Sequence, residues 1–263
     1  MRYGMVINLK KCVGCYGCVI KCKQEHFLPP GMTWGKLLIS ETGTYPNITK
    51  HVYPVLCNHC KEPACVEACP TDATKRREDG IVWVDQDLCI GCKYCVTACP
   101  YQIRTFYSDR QEYFPGQGPT EYEKLAENLY PLKNDVVLKC DFCKDRIDEG
   151  IKKGLKPGVD REATPACVNI CPAKARYFGD LDDPESEVSE LIREKGALQL
   201  HPGFGTDPSV YYIPTDAMLK DNFLSRSFFP SSAKYSLPLF LMTAKQVHQD
   251  IEGEDRERVP QSE

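Results

Sequence analysis

Sixteen of the 263 residues are cysteine, and they fall in four groups of four. The first is Cys12, Cys15, Cys18 and Cys22; the second is Cys57, Cys60, Cys65 and Cys69; the third is Cys89, Cys92, Cys95 and Cys99; the fourth is Cys140 and Cys143, then Cys167 and Cys171. Groups one and three share the spacing C-x2-C-x2-C-x3-C. Pro70, Pro100 and Pro172 follow the last cysteine of groups two, three and four, whereas group one has Lys23 there. Any fold of this chain has to bring those short runs of sulfur together before it can do anything else.

Cysteines at i, i+3 and i+6 in a tight loop can wrap three thiolates around one face of an iron–sulfur cube, and the fourth thiolate has to come from elsewhere. In two-cluster ferredoxins the last cysteine of each run ligates the other cluster, so runs work in pairs. Proline after that cysteine lacks an N–H and has its φ fixed, which turns the chain away from the metal site. Three other readings compete. Zinc uses two C-x2-C pairs per tetrahedral site, which leaves the third close cysteine of groups one and three surplus. Structural disulfides suit small secreted domains, and cysteines two residues apart are poor partners for such a bridge. Free buried thiols have no reason to be periodic.

Groups two and three are close in sequence, and Gly80 to Asp85 between them alternates like a strand of the small hairpin between ferredoxin motifs. Group one finds no partner until group four, so one two-cluster module is expected to sit inside the other. The fold class expected is α+β: two nested bacterial-ferredoxin-like modules with long loops and a C-terminal arm. Residues 1–55 and 136–213 make the outer module, 56–105 the inner one, 106–135 a connecting aromatic-rich loop and 214–263 the arm.

Lys and Arg number 33 against 37 for Asp and Glu, a net charge of −4. A dominant nucleic-acid surface is excluded on that balance, because phosphate binding rests on clustered positive charge. An export signal is not expected, since Cys12 follows Met1 closely, and the nearest approach to a spanning apolar run, Leu237 to Met242, is short and interrupted by Pro238. A bilayer span is not expected.

Beyond the cysteines, Gly4-Met5-Val6-Ile7 precedes Lys11-Cys12-Val13-Gly14-Cys15, and the chain contains Leu56-Cys57-Asn58-His59-Cys60, Gly179-Asp180-Leu181-Asp182-Asp183-Pro184 and Val210-Tyr211-Tyr212-Ile213. With the cysteine runs, these motifs resemble the four-cluster iron–sulfur subunits of the dimethyl-sulfoxide-reductase family of molybdenum and tungsten bis-pterin oxidoreductases. The resemblance covers residues 1 to about 213 and is closest to the respiratory arsenate, polysulfide and thiosulfate reductase branch. It implies four 4Fe-4S clusters. Cys12, Cys15, Cys18 and Cys171 would hold the first and Cys22, Cys140, Cys143 and Cys167 the second. Cys69, Cys89, Cys92 and Cys95 would hold the third, and Cys57, Cys60, Cys65 and Cys99 the fourth. The first cluster would lie nearest the catalytic subunit and the fourth at the far end.

The function implied is electron relay between a large molybdopterin subunit, which carries the Mo or W bis-pterin cofactor, and an external donor or acceptor such as a quinone-linked protein or cytochrome. Alternatives are a subunit of an aromatic hydroxyl-transfer enzyme of the same family, a free-standing polyferredoxin, or a zinc scaffold. The resemblance also implies periplasmic export with a signal-bearing partner; a cytoplasmic location is the alternative.

This chain shows no catalytic machinery of its own. Gly203-Phe204-Gly205 lacks the third glycine of a dinucleotide loop, and His26, His51, His59, His201 and His248 are scattered. His59 is expected behind the ligands or on the surface, because four thiolates already satisfy each cluster. Lys21, Lys93 and Lys139 lie beside or near ligands and could tune potentials, although a solvated surface is the commoner state of lysine.

Two loops, 24–54 and 101–139, are rich in aromatics, which suits either a protein interface or a cover over small cluster domains. Residues 144–166 are expected as a surface insertion with a short helix over Asp145 to Gly150. Ala175 to Gly179 reads as a closing strand. Asp183 and Pro184 should start a helix that presents Val188, Leu191 and Ile192 on one face and stops at Gly196. The arm, with Phe223, Phe228, Phe229, Leu237, Leu239, Phe240 and Leu241 before a polar end, is expected to dock on the catalytic subunit.

Overall fold

The apolar run Met5-Val6-Ile7 has no polar alternation, the mark of a strand covered on both faces. In the computed structural model, which describes residues 1–220, this run is the core of strand β1 (Tyr3–Asn8), and all three residues are fully buried. β1 pairs antiparallel with β8 (Arg176–Asp180) and parallel with β10 (Val210–Ile213), and β9 (Leu198–Gln199) completes a four-stranded sheet in the order β8-β1-β10-β9. The closing strand expected at Ala175–Gly179 is therefore present, one residue later.

Successive side chains on a strand point to opposite faces, so β1 serves two layers. Val6 and Ile213 pack with Val188 and Ala197 beneath helix α7 (Glu187–Lys195), joined by Leu181, Leu191 and Ile192. Ile7, on the other face, lines the cavity that holds Cys12 and Cys171. The start of α7 differs from expectation. Its N-cap is Ser186, whose Oγ accepts the Ser189 N–H at 3.3 Å, while the Asp183 carboxylate accepts the Glu185 N–H in the turn before it. Serine serves because its short side chain reaches the free N–H groups of the first turn.

Two segments expected as loops contain regular structure. Lys36–Thr44 (β2) and Asn47–Val55 (β3) form an antiparallel hairpin, buried at its base through Tyr53 and Pro54 and exposed at its tip. Within the connecting segment, helix α4 (Glu121–Leu129) starts at a reciprocal capping box between Thr120 and Glu123. The aromatics of both segments mostly face inward: Trp34, Tyr53 and Tyr107 are buried and Phe27 packs on Tyr122, while Tyr45 and Phe114 are exposed.

Shorter elements frame the cysteine groups. A hairpin of β4 (Thr74–Arg76) and β5 (Val82–Val84) lies between groups two and three, as the alternation at Gly80–Asp85 indicates. β6 (Thr105–Tyr107) and β7 (Val136–Leu138) pair to join group three to group four. Helix α5 (Lys144–Lys152) covers the expected Asp145–Gly150 turn, but Ile147, Ala163 and Ala166 are buried, so 144–166 is an integrated layer rather than a surface insertion. Among the described residues no helix is long and apolar enough to cross a membrane. The docking expectation for the arm falls mainly on 221–263, outside the described residues.

Arg77 ties the β4–β5 hairpin to α5 through a two-pronged pair with Asp148, at 2.8 and 2.6 Å, and also reaches Asp79 at 2.8 Å. The hydrogen bond from Arg77 holds the Asp148 carboxyl below its ordinary value against the upward push of burial. A carboxylate depressed in the folded state stabilises above its unfolded pKa, and that contribution disappears as pH falls through the folded value. Asp148→Asn should therefore lower neutral-pH stability by on the order of 1 kcal/mol or less, since the pair is partly exposed. Denaturation midpoints of variant and parent should converge on acidification below the ordinary aspartate range.

Candidate iron–sulfur centres

Each cysteine group bends the backbone at the same place. The second residue after the first cysteine has positive φ in all four groups: Gly14 at 71°, His59 at 43°, Gly91 at 66° and Phe142 at 56°. Each group that ends in Cys-Pro bends again three residues after that cysteine, at Asp72 (52°), Gln102 (48°) and Lys174 (46°). Left-handed residues other than glycine cost about 1–3 kcal/mol each and persist where surroundings over-determine them. Alternation of right- and left-handed residues turns successive N–H groups inward as an anion nest, a geometry common at iron–sulfur sites. Backbone N–H groups meet sulfur directly: Thr74 to Cys69 Sγ at 3.4 Å and Ala175 to Cys171 Sγ at 3.2 Å from the loops, and Val137 of β7 to Cys89 Sγ at 3.5 Å.

The third cysteine of each group lies in a helix: Cys18 in α1 (Gly17–Glu25), Cys65 in α2 (Ala64–Glu67), Cys95 in α3 (Tyr94–Thr97) and Cys167 in α6 (Ala166–Asn169). α1 packs against α6 and α2 against α3. Two of these helices start identically, at Pro63-Ala64-Cys65-Val66 and Pro165-Ala166-Cys167-Val168, with the proline at the N-cap. That repeated tetrapeptide is a signal in the sequence that cysteine spacing alone passes over.

Electrostatic neighbours cross between the runs. Cys12 interacts with Cys18 and Cys171, and one cavity is lined by Cys12, Cys15, Cys18 and Cys171. Cys143 interacts with Cys22, Cys140 and Cys167. Cys60 interacts with Cys57, Cys65 and Cys99, while Cys95 interacts with Cys65 and Cys89. Cys140 also interacts with Cys57. This relation links the set expected last, through Cys57, to the set expected second, through Cys140.

Burial pushes the thiols of Cys22 and Cys143 well up, and raises Cys60 to about 12, because a thiolate loses its hydration there. Cys69 goes the other way, since N–H groups of Thr74, Thr71 and Ala73 outweigh its modest burial. None of the sixteen cysteines forms a disulfide. Buried thiols of this kind become thiolates only beside a strong positive centre, which iron supplies. Polar atoms next to them also lack partners: Asn58 Nδ2 and Oδ1 are buried without a hydrogen bond. Donor chemistry and orphaned atoms both fit polynuclear iron–sulfur groups.

Of the three lysines, Lys139 departs from a solvated role. It is 3% exposed, and its ammonium donates to the carbonyls of Val82 and Cys140. Lys21 pairs with Glu25 at 3.3 Å, and Lys93 lies 3.8 Å over the Phe106 ring. His59 is fully buried rather than superficial, stacked on Phe142 with centroids 3.6 Å apart, and its Nδ1 accepts the Val82 N–H at 3.0 Å. Burial, then Lys139 and Arg104, hold it well below its ordinary pKa, and hence neutral. His26 had no sequence signal, yet its Nε2 is 3.3 Å from Cys143 Sγ and its Nδ1 3.1 Å from the Tyr130 hydroxyl.

Nest-forming loops around buried thiols, on small hairpins and short helices, define a ferredoxin-like 4Fe-4S electron carrier. A family model described as a 4Fe-4S dicluster domain matches residues 48–115. A selenate reductase subunit of Mesobacillus selenatarsenatis is 42% identical, over 81% of this chain and 72% of its own. The arsenate respiratory reductase iron–sulfur subunit of a Shewanella species is 38% identical, over 81% of this chain and 96% of its own. A sulfite dehydrogenase subunit of Allochromatium vinosum is 38% identical, over 81% and 83%. The chain belongs to the iron–sulfur electron-transfer subunits of the molybdopterin oxidoreductase family.

Gly14 and Gly91 occupy the same loop position but differ in tolerance. A Cβ on Gly91 would meet the Asp135 carbonyl oxygen at 2.2 Å, whereas one on Gly14 would meet only Val52 methyls, the nearest at 3.2 Å. Both alanine variants carry about 1–3 kcal/mol of backbone strain. Gly91→Ala should in addition displace the third loop, so its iron content should fall clearly below that of Gly14→Ala.

Proposed function

We propose that the chain holds four 4Fe-4S clusters and relays electrons between a Mo or W bis-pterin catalytic subunit and an external redox partner. The sets are Cys12, Cys15, Cys18 and Cys171; Cys22, Cys140, Cys143 and Cys167; Cys57, Cys60, Cys65 and Cys99; and Cys69, Cys89, Cys92 and Cys95, in that order along the protein. The observation that carries this reading is the shared cavity lined by Cys12, Cys15, Cys18 and Cys171, which supports grouping the last cysteine of group four with the first three of group one. Packing of α1 on α6 and of α2 on α3 supports one two-cluster module nested in another, 56–105 within 1–55 and 136–213.

When bound, the clusters supply one-electron transfer. The residues of this chain hold them by thiolate, direct N–H groups at sulfur, and keep water from the buried sets around Cys140 and Cys143. Relatives named for selenate and arsenate reduction support an oxyanion as the substrate of the catalytic subunit. A relative named as part of a sulfite dehydrogenase supports a sulfur oxyanion equally well, and such a relay can run in either direction.

Interleaving makes an unusual demand on Cys22, which sits in the first motif but belongs to the second set. Electron paramagnetic resonance of Cys22→Ser should match Cys143→Ser in the signal it loses; a match to Cys12→Ser would contradict the assignment. For the partner, the chain should purify with a large subunit that contains molybdenum or tungsten. Deleting residues 222–263 should loosen that association several-fold while leaving the iron content unchanged. Unaltered association would reject docking by the arm, and purification of the chain alone from its native source would favour a free-standing polyferredoxin.

A further inference from the structure

Arg104 stands five residues after Cys99, and Arg176 five residues after Cys171. They are 5% and 7% exposed. Guanidinium groups stay charged, and a buried charge without a counter-ion costs several kcal/mol. Among the described residues, however, the arginines that pair with carboxylates are Arg2, Arg77 and Arg146, not these two.

What surrounds them is sulfur. Arg176 Nη1 donates towards Cys167 Sγ at 3.8 Å and Met5 Sδ at 3.5 Å, and its charge also interacts with Cys18 and Cys171. Arg104 Nη1 donates to Thr74 Oγ1 at 3.1 Å, its guanidinium also hydrogen-bonds towards the Cys65 and Cys95 side chains, and its charge interacts with Cys65, Cys95 and Cys57. The correspondence is residue by residue. Cys65 and Cys167 are the cysteines of the two Pro-Ala-Cys-Val helix starts, and Cys95 and Cys18 are the third cysteines of the two C-x2-C-x2-C-x3-C runs. In each case the two cysteines belong to different cluster sets.

We propose that Arg104 and Arg176 are matched inter-cluster cations, each placed between the two cysteine sets of its module and raising the reduction potential of both. Resting on the four-set reading above, this assigns a role to two residues outside the ligand sets. Reduction adds negative charge to a cluster, and net charge near the cluster is one of the determinants of its potential. A single cation shared by two clusters moves both in the same direction, so the step between them changes less than either potential.

The test is an iron and sulfide assay followed by a redox titration monitored by electron paramagnetic resonance, on the complex with its catalytic subunit. Arg104→Met should lower two midpoints, those of the Cys57 and Cys69 sets, and leave the other two in place. Arg176→Met should lower the complementary pair. Lysine at either position keeps the charge and should recover most of the shift. A shift confined to one cluster, no shift, or a lysine variant indistinguishable from methionine would overturn the proposal. Where a methionine variant loses iron, the lysine variant decides: retained iron with near-parental potentials supports the charge role, and iron loss there too reduces the arginine to a folding residue. Fewer than four clusters in the parent protein would instead defeat the four-cluster reading itself.

Discussion

Burying a thiolate is the constraint on which the rest of this structure depends. A sulfur anion taken out of water loses several kcal/mol of hydration unless positive charge or N–H dipoles replace it. Cys22, Cys140, Cys143 and Cys167 are all held where that loss is large, and burial drives their thiols upward. Iron is the main compensation, but the polypeptide contributes its share. Left-handed bends turn backbone N–H groups inward, short helices begin at the third cysteines, and buried Arg104, Arg176 and Lys139 place fixed positive charge close by.

Secondary structure follows from this. The helices that carry Cys65, Cys95 and Cys167 are four residues long, and the hairpins beside them have three-residue strands. Such pieces do not stabilise themselves, since a helix that short lies below the nucleation threshold in water. They are held by what they deliver, sulfur to a shared centre. The longer elements do a different job. β1 joins the N-terminal segment to β8 directly after group four, which keeps Cys12 and Cys171 on one cavity although they are far apart in the chain.

Cysteine spacing makes the iron–sulfur class readable before any coordinates, because few other chemistries require three thiolates in seven residues. The alternation before Asp85 and the α7 face of Val188, Leu191 and Ile192 are legible for ordinary reasons of periodicity. Other features are written in the sequence but carry no cysteine to draw the eye, or repeat where spacing differs. Thr120 and Glu123 spell a capping box inside a segment whose aromatics suggest a loop, and Pro-Ala-Cys-Val occurs twice. The remainder depends on three-dimensional proximity. Nothing local to Lys139, His26 or His59 indicates burial, and only packing brings Cys57 within electrostatic reach of Cys140.

The four-set arrangement requires each cysteine to be a cluster ligand. Quantifying iron and acid-labile sulfide in the anaerobically purified protein, with Mössbauer spectra to type the clusters, tests this most directly. The expected result is one iron and one sulfide for each of the sixteen cysteines, all in cubane form. Zinc in place of iron, or iron at half that amount with no loss during purification, would contradict it.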